Sequence, residues 1–260
     1  MFRTLFVSMF AGLVSLAGAS GTLADQTRVE VRVISKAAKF IGTSMGGVAI
    51  TICDADTGEM LASGKTTGST GDTAGIMKQR HRHHDSVATD DAAVFRSSLD
   101  LDEPRQIRVT VHGPLAQRQA INSASVTQWI VPGKHITGGD GLLLELPGFV
   151  VDVLDPPAHQ MLDEPPGTVS VKANVTMMCG CPIEPGGLWD ASEIEVAAIV
   201  KHDGKKLTTV PMQYAGSTSQ FSGEVKMDKP GAYAVTVYAY DASNGNTGLD
   251  STTVVVAKQR

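Results

Sequence analysis

Apolar residues in this chain recur mostly at every second position, the spacing of strands buried on one face. In "TRVEVRVISK" Val29, Val31 and Val33 alternate with Arg28, Glu30 and Arg32. In "GGVAITICDADTGEMLASGKT" Val48, Ile50 and Ile52 share a face, a turn follows at Asp56-Thr57-Gly58-Glu59, and "MLASGKT" returns. "RQIRVTVHG" alternates through Ile107, Val109 and Val111, and "DGLLLELPGFVVDVL" adds one or two further buried strands. "TTGSTGDTAG" has many glycines but opens no helix, so it reads as a flexible loop. The one short helical piece lies within 114–125.

The second half of the chain shows the pattern more cleanly. "TVSVKANVTM" puts Val169, Val171, Ala173 and Val175 on one face and Lys172, Asn174 and Thr176 on the other. "SEIEVAAIVKHDGKKLTTVPMQY" predicts two strands around Asp203-Gly204, a tight-hairpin signal. "SQFSGEVKM" and then "GAYAVTVYAYDASNGNTGLDSTTVVVA" add a strand and a second hairpin. Between the halves, "DPPAHQMLDEPPGT" carries four prolines, which lack an amide donor and restrict the preceding residue. The expectation is an all-β chain of two antiparallel β-sandwich domains, 25–154 and 168–260, joined by a proline-rich linker over 155–167.

Two stretches resemble known families. "GGVAITICDADTGEMLASGKTTGSTG", with its Asp-x-x-Thr-Gly turn between a strand and its return, resembles the opening of transthyretin-like or carboxypeptidase-regulatory-like sandwich domains. "GAYAVTVYAYDASNGNTG" resembles the closing strands of bacterial immunoglobulin-like modules. Neither resemblance carries catalytic residues. Both imply a binding or scaffolding module.

The N-terminus sets the compartment. Arg3 is followed by an uncharged apolar run from Leu5 to Leu16 and then by small residues, with cleavage expected after Ala19 or Ala24. This is the three-part pattern of a secretory signal peptide over 1–24, and the run is short of the roughly 20 apolar residues that a spanning helix needs. The mature protein is expected to be secreted or periplasmic, without a membrane span. Its formal net charge of −5 becomes −6 when Arg3 is lost, which disfavours nucleic acid as a partner. The partner expected is another envelope or extracellular protein.

Three cysteines allow at most one internal bridge, so apolar burial must hold the fold. Two of them lie one residue apart in "VTMMCGCPIEPGGLWD". If the strand through Val175 stays extended, Met177, Cys179 and Cys181 face one side and Met178 the other. Three readings stay open. The sulfurs fill the sandwich end as soft apolar side chains. Or Cys179 and Cys181 form a labile disulfide used in thiol redox chemistry. Or Met177, Cys179 and Cys181 hold a soft ion such as copper, with Met178 or Met212 in reserve, a site that a disulfide would abolish.

A second cluster, "MKQRHRHHDSVATDD", brings His81, His83, His84 and Asp85 together. Imidazole and carboxylate suit Cu(II), Zn(II) or Ni(II), although Arg80 and Arg82 would repel a cation and a solvated basic loop is the alternative. His112, His135, His159 and His202 read as surface residues. Asp54/Asp56 and Asp90/Asp91 fit turns and loops and lack a calcium-loop pattern. Asn174-Val175-Thr176 matches a glycosylation acceptor within a strand. Trp189 reads either as a plug for the sandwich end or as an interface anchor. No nucleophile elbow or phosphate loop is present. The function expected is therefore an exported binding or accessory protein with a copper-type site, against a structural or adhesive envelope module or a thiol redox protein.

Overall fold

The first buried alternation, Val29, Val31 and Val33, lies in β1 (Asp25–Ser35), as the period-two pattern requires. The computed structural model describes residues 25–79 and 85–258; the expected signal peptide and His81, His83 and His84 lie outside them. The first half continues with β2 (Ala49–Asp54), β3 (Met60–Lys65), α1 (Thr73–Lys78), β4 (Phe95–Leu101), β5 (Arg105–Gly113), β6 (Asn122–Ile130) and β7 (Leu142–Leu146). They form a three-stranded sheet, β4-β1-β7, and a four-stranded sheet, β3-β2-β5-β6. Residues from both sheets, including Val31, Ile50, Val109 and Leu144, share one core.

The second half consists of β8 (Phe149–Asp155), β9 (Gln160–Leu162), β10 (Gly167–Met177), β11 (Glu195–His202), β12 (Lys205–Pro211), β13 (Gln213–Tyr214), β14 (Gln220–Met227), β15 (Gly231–Tyr240) and β16 (Thr247–Val256). The sheets are β13-β14-β10-β8 and β12-β11-β15-β16-β9. Val171, Val175, Val235 and Val254 belong to a second core between them. Tyr233 is fully buried there, and its hydroxyl donates to the Lys229 carbonyl at 3.0 Å and accepts the Lys229 N–H at 3.2 Å. A buried tyrosine tied to the backbone a few residues upstream is a corner found in immunoglobulin-type sandwiches. The chain is thus all-β, built of two sandwiches. Their strands pair antiparallel except β1 with β7 and β16 with β9, which run parallel.

Several local expectations change. The glycine-rich stretch does open a short helix, because the Asp72 side chain accepts the Gly75 N–H and caps α1. Segment 114–125 holds only a 3-10 turn at Arg118–Ala120, and β6 starts at Asn122. β4 and β6 carried no recognised alternation. Six of the nine positions of β6 are exposed and only Ile130 is buried, at a sheet edge, which removes the apolar period.

The crossing between the cores also differs from the proline-rich stretch where a linker was expected. Leu146 lies in the first core and Phe149 in the second, with Gly148 between them at φ +133°. β8 pairs with β10, so it joins the second sandwich although its sequence grouped it with the first. Within 155–167, β9 pairs with β16, and the prolines interrupt the sheet edge there rather than spanning a gap between the sandwiches.

Candidate functional site

β10 delivers Val171, Ala173, Val175 and Met177 to the second core, as the alternation predicts. Beyond Met177 the ribbon does not stay extended. The Gly180 N–H donates to the Met177 carbonyl at 2.8 Å, and the Met177 N–H donates to the Cys181 carbonyl at 3.1 Å. Thr176 then bridges Pro182. The chain reverses over 178–180, with Gly180 at φ +79°, a conformation that glycine adopts without the Cβ clash. The reversal brings the Cα atoms of Cys179 and Cys181 to 5.4 Å, inside the range that a bridge tolerates, and the two are joined as a disulfide.

The disulfide is one of the alternatives that the sequence leaves open, and while it is closed Met177 has no thiolate beside it to share a soft ion. Soft ions bind thiolate, and the bond consumes both thiols. The three sulfurs do share one core, each at most 6% exposed, while Met178 is fully buried in the other core. The 177–181 turn is therefore a wedge between the sandwiches. Among the described residues, no three His, Cys, Asp or Glu side chains are grouped to hold a metal ion. Cys53, half-buried on β2, is a free thiol.

Downstream, 182–194 folds back over the wedge. Ile183 and Ser219 exchange hydrogen bonds, Ile183 N–H to Ser219 Oγ at 3.1 Å and Ser219 N–H to Ile183 carbonyl at 3.0 Å. The Glu184 N–H donates to the Trp189 carbonyl and the Ala191 N–H to the Glu184 carbonyl, both at 3.1 Å. Trp189 takes the plugging role. It packs against the second core, and its indole N–H donates to the Ala37 carbonyl of the first sandwich at 3.0 Å.

The joint has further ties. Lys36 Nζ donates to the Asn244 carbonyl at 2.8 Å. Fully buried Asn246 donates to the Lys36 carbonyl at 3.0 Å and accepts the Gly148 N–H at 2.9 Å. Ala38 enters the second core and Gln119 donates to the Val151 carbonyl at 3.0 Å. Nothing in the periodicity announced these contacts; the only signal was Asn and Gly crowded in "DASNGNTG".

The remaining histidines split. His112 Nδ1 lies 2.8 Å from Ser123 Oγ, and His135 Nδ1 accepts the Arg28 N–H at 3.2 Å. His202, expected on the surface, is half-buried, its ring 4.6 Å from that of Tyr233 and its Nε2 3.0 Å from the Pro230 carbonyl.

The outer face of the five-stranded sheet carries an exposed apolar group. Tyr238 and Tyr240 are two apart on β15 and point away from the core. Leu249 of β16 pairs with Tyr238 and is 52% exposed. Glu195 accepts the Tyr238 hydroxyl, which fixes the ring and holds the phenol above its ordinary pKa, chiefly through that hydrogen bond. On the first sandwich, Trp129 stands 63% exposed on β6.

No protein-family profile matches the chain, and no curated protein sequence matches it. Solved structures to which the chain shows similarity include an engineered protein, 17% identical over 50% of this chain, at a TM-score of 0.32. Others are the fibronectin(III)-like modules of Clostridium thermocellum CbhA, 10% identical over 80% of this chain at 0.29, and an I-band fragment of titin, 13% identical over 90% at 0.26. This chain spans 24%, 77% and 60% of their respective lengths. These neighbours include immunoglobulin-like and fibronectin-III-like sandwich modules; none is named as transthyretin-like. With TM-scores so low they carry no functional argument. The strand pairing and the tyrosine corner are what make this chain an all-β protein of two sandwiches.

Proposed function

We propose that this protein is an exported structural or adhesive module of the cell envelope that holds a partner protein on the outer face of its five-stranded sheet. The observation that carries this reading is the contiguous Tyr238, Tyr240 and Leu249 group on that face. Aromatic side chains supply large contact area with few rotors to freeze, and such residues dominate the buried centres of protein interfaces. Glu195 pre-orients one ring, which lowers the ordering cost of binding. Export is supported by the Cys179–Cys181 disulfide, since such bonds persist in oxidising compartments and are rare in the cytosol. Among the described residues, no helix is long and apolar enough to cross a membrane.

A photo-crosslinking residue placed at Leu249 in the full chain, expressed in its own host, tests the reading. The expected result is one discrete protein adduct, abolished by Tyr240→Asp. An adduct indifferent to Tyr240→Asp, or none at all, would overturn it. Stoichiometric copper on a protein with both thiols reduced, lost on Cys179→Ser, would instead favour the soft-metal reading of Met177, Cys179 and Cys181.

A further inference from the structure

The edge of a β-sheet is a template for pairing with another chain, and among the described residues all sheet edges but one are guarded. β4 carries Arg96 and Asp100, β8 carries Asp152 and Asp155, and β12 carries Lys205, Lys206 and Pro211. β3 ends on Lys65 and has a bulge in its ladder with β2. β7 has only five residues, Glu145 among them, while β9 has three and β13 two. β6 is the exception. Its nine residues, NSASVTQWI, include no charge and no proline, and its ladder with β5 runs through all nine without a register shift. β7 approaches from the opposite sheet but forms no ladder with β6. The Ala55 N–H donates to the Gln106 carbonyl at 2.7 Å, so Gln106 and alternate residues after it on β5 turn their backbone groups toward β2. Ile107, Val109 and Val111 turn theirs toward β6, where they face Gln128, Val126 and Ala124. The N–H and C=O groups of Ser123, Ser125, Thr127 and Trp129 therefore point off the open edge. Val126 faces inward, opposite buried Val109, yet is 36% exposed, so the core is also uncovered there.

From this we infer that β6 is a dimerisation edge, on which a second copy of this chain lays its own β6 antiparallel about a two-fold axis at Val126. A register centred there sets Ser123 opposite the partner's Trp129 and Ser125 opposite the partner's Thr127. These are hydrogen-bonded pairs, and four residues per copy, each with one N–H and one C=O, make about eight bonds, within the roughly 5–15 of a specific interface. Registers centred elsewhere leave some of these groups unpaired. Val126 meets the partner's Val126 in a non-hydrogen-bonded pair, where side chains approach most closely, and each covers the other. The side chains suit a self-pair: serine opposes threonine, the large indole meets a small serine, and no like charges coincide. The symmetric contact closes after two copies, so the edge is consumed rather than propagated. The sheet β3-β2-β5-β6 then continues into the same sheet of the second copy. This inference is independent of the partner face on β15 and β16.

The test measures molecular mass by equilibrium sedimentation of the full chain, with far-UV circular dichroism to confirm that each variant folds. The wild-type chain is expected to sediment at twice the chain mass at micromolar concentration. Ser125→Lys combined with Thr127→Lys sets lysine against lysine across the axis and should weaken association at least about tenfold. Both positions are exposed and turn their backbone groups away from β5, so the variant keeps the ladder within the monomer. Mixed with the Ser125→Glu/Thr127→Glu variant it should form a mixed dimer, because each lysine then faces a glutamate. The register is read separately in a Cys53→Ser background. Val126→Cys should form an intermolecular disulfide on mild oxidation, since a non-hydrogen-bonded pair brings its Cα atoms within bridging distance. Ser123→Cys, which lies opposite Trp129 of the partner subunit, should not. A wild-type chain that stays monomeric up to about 100 µM, a concentration that detects even weak association, would overturn the inference. So would a dimer that survives the two lysines, or Ser123→Cys crosslinking as readily as Val126→Cys.

Discussion

Asp54 and Asp152 show how one residue type acquires opposite roles from its neighbours. Asp54 opens the Asp-x-x-Thr-Gly turn. Its Oδ1 accepts the Thr57 N–H at 2.8 Å and the Asp56 N–H at 3.0 Å, and Gly58 completes the turn at φ +78°. The Thr57 N–H is the main cause that holds its carboxyl below the ordinary range, and Arg105, 3.8 Å away, adds to it. A depressed folded pKa contributes stability above the unfolded value of about 4 and loses it as pH falls through the folded pKa. Asp152 is the reverse: partial desolvation, and then the Asp250 carboxylate, raise its pKa. It stabilises the fold only while protonated, and that contribution is lost as pH rises through the raised value. In thermal melts from pH 3 to 7, Asp54→Asn should lower Tm at pH 7 with a difference that shrinks toward pH 3. Asp152→Asn should raise Tm at pH 7, and that gain too should vanish toward pH 3. The Asp54 turn was legible in the sequence because its hydrogen bonds span three residues. The burden on Asp152 was not, because Asp250 lies on a strand from the far end of the chain.

At the scale of elements, most strands with one dry face were legible, and so were edge strands announced by a turn, such as β3 and β12. β1, β2, β5, β10 and β15 show their alternation directly. The Asp203-Gly204 hairpin follows its chemistry, with both residues at positive φ, +46° and +80°, as the twist of a two-residue turn demands. β6 lies at a sheet edge and loses the signal, whereas β4 alternates with Leu99 and Leu101 inward but interrupts its apolar face with Ser97. β12 is likewise exposed, and its Lys205, Lys206 and Pro211 discourage pairing with a second chain. The contact between β8 and β16 depends on a missing side chain. A Cβ on Gly248 would lie 2.3 Å from the Phe149 carbonyl oxygen, so the two strands cross closer than any other residue allows. Gly248→Ala should destabilise the protein by about 1–3 kcal/mol, the usual cost of overpacking. Urea unfolding would show it as a lower midpoint with an unchanged slope.

For the whole molecule the decisive feature is the exchange of residues between cores. Met178, from the second half of the sequence, is fully buried in the first core, and Ala38, from the first half, lies in the second. Asn246, Lys36, Gly148 and Trp189 stitch the backbone across the joint. Sandwiches coupled this way should unfold in one transition, with Trp fluorescence and far-UV circular dichroism superimposing. Met178→Ala should cost about 2–5 kcal/mol, in keeping with truncation of a buried methionine, and should lower the stability of both halves together. Two separate transitions, with only one moved by Met178→Ala, would contradict the coupling.

The sequence by itself determined that the chain is all-β, which residues of most strands face inward, and where the tight turns fall. These properties depend on period and on turn chemistry within a few residues. Tertiary structure alone decided what shape the sulfur-rich segment takes. Whether Cys179 meets Cys181 depends on a reversal held by backbone hydrogen bonds, and the burial of Met178 depends on a core whose other residues lie up to about 150 positions away. The grouping of Met77, Trp189 and Asp241 at the joint belongs to the same class, since they become neighbours only after both sandwiches have formed. Local spacing encodes which way a side chain points, but not which distant surface it meets.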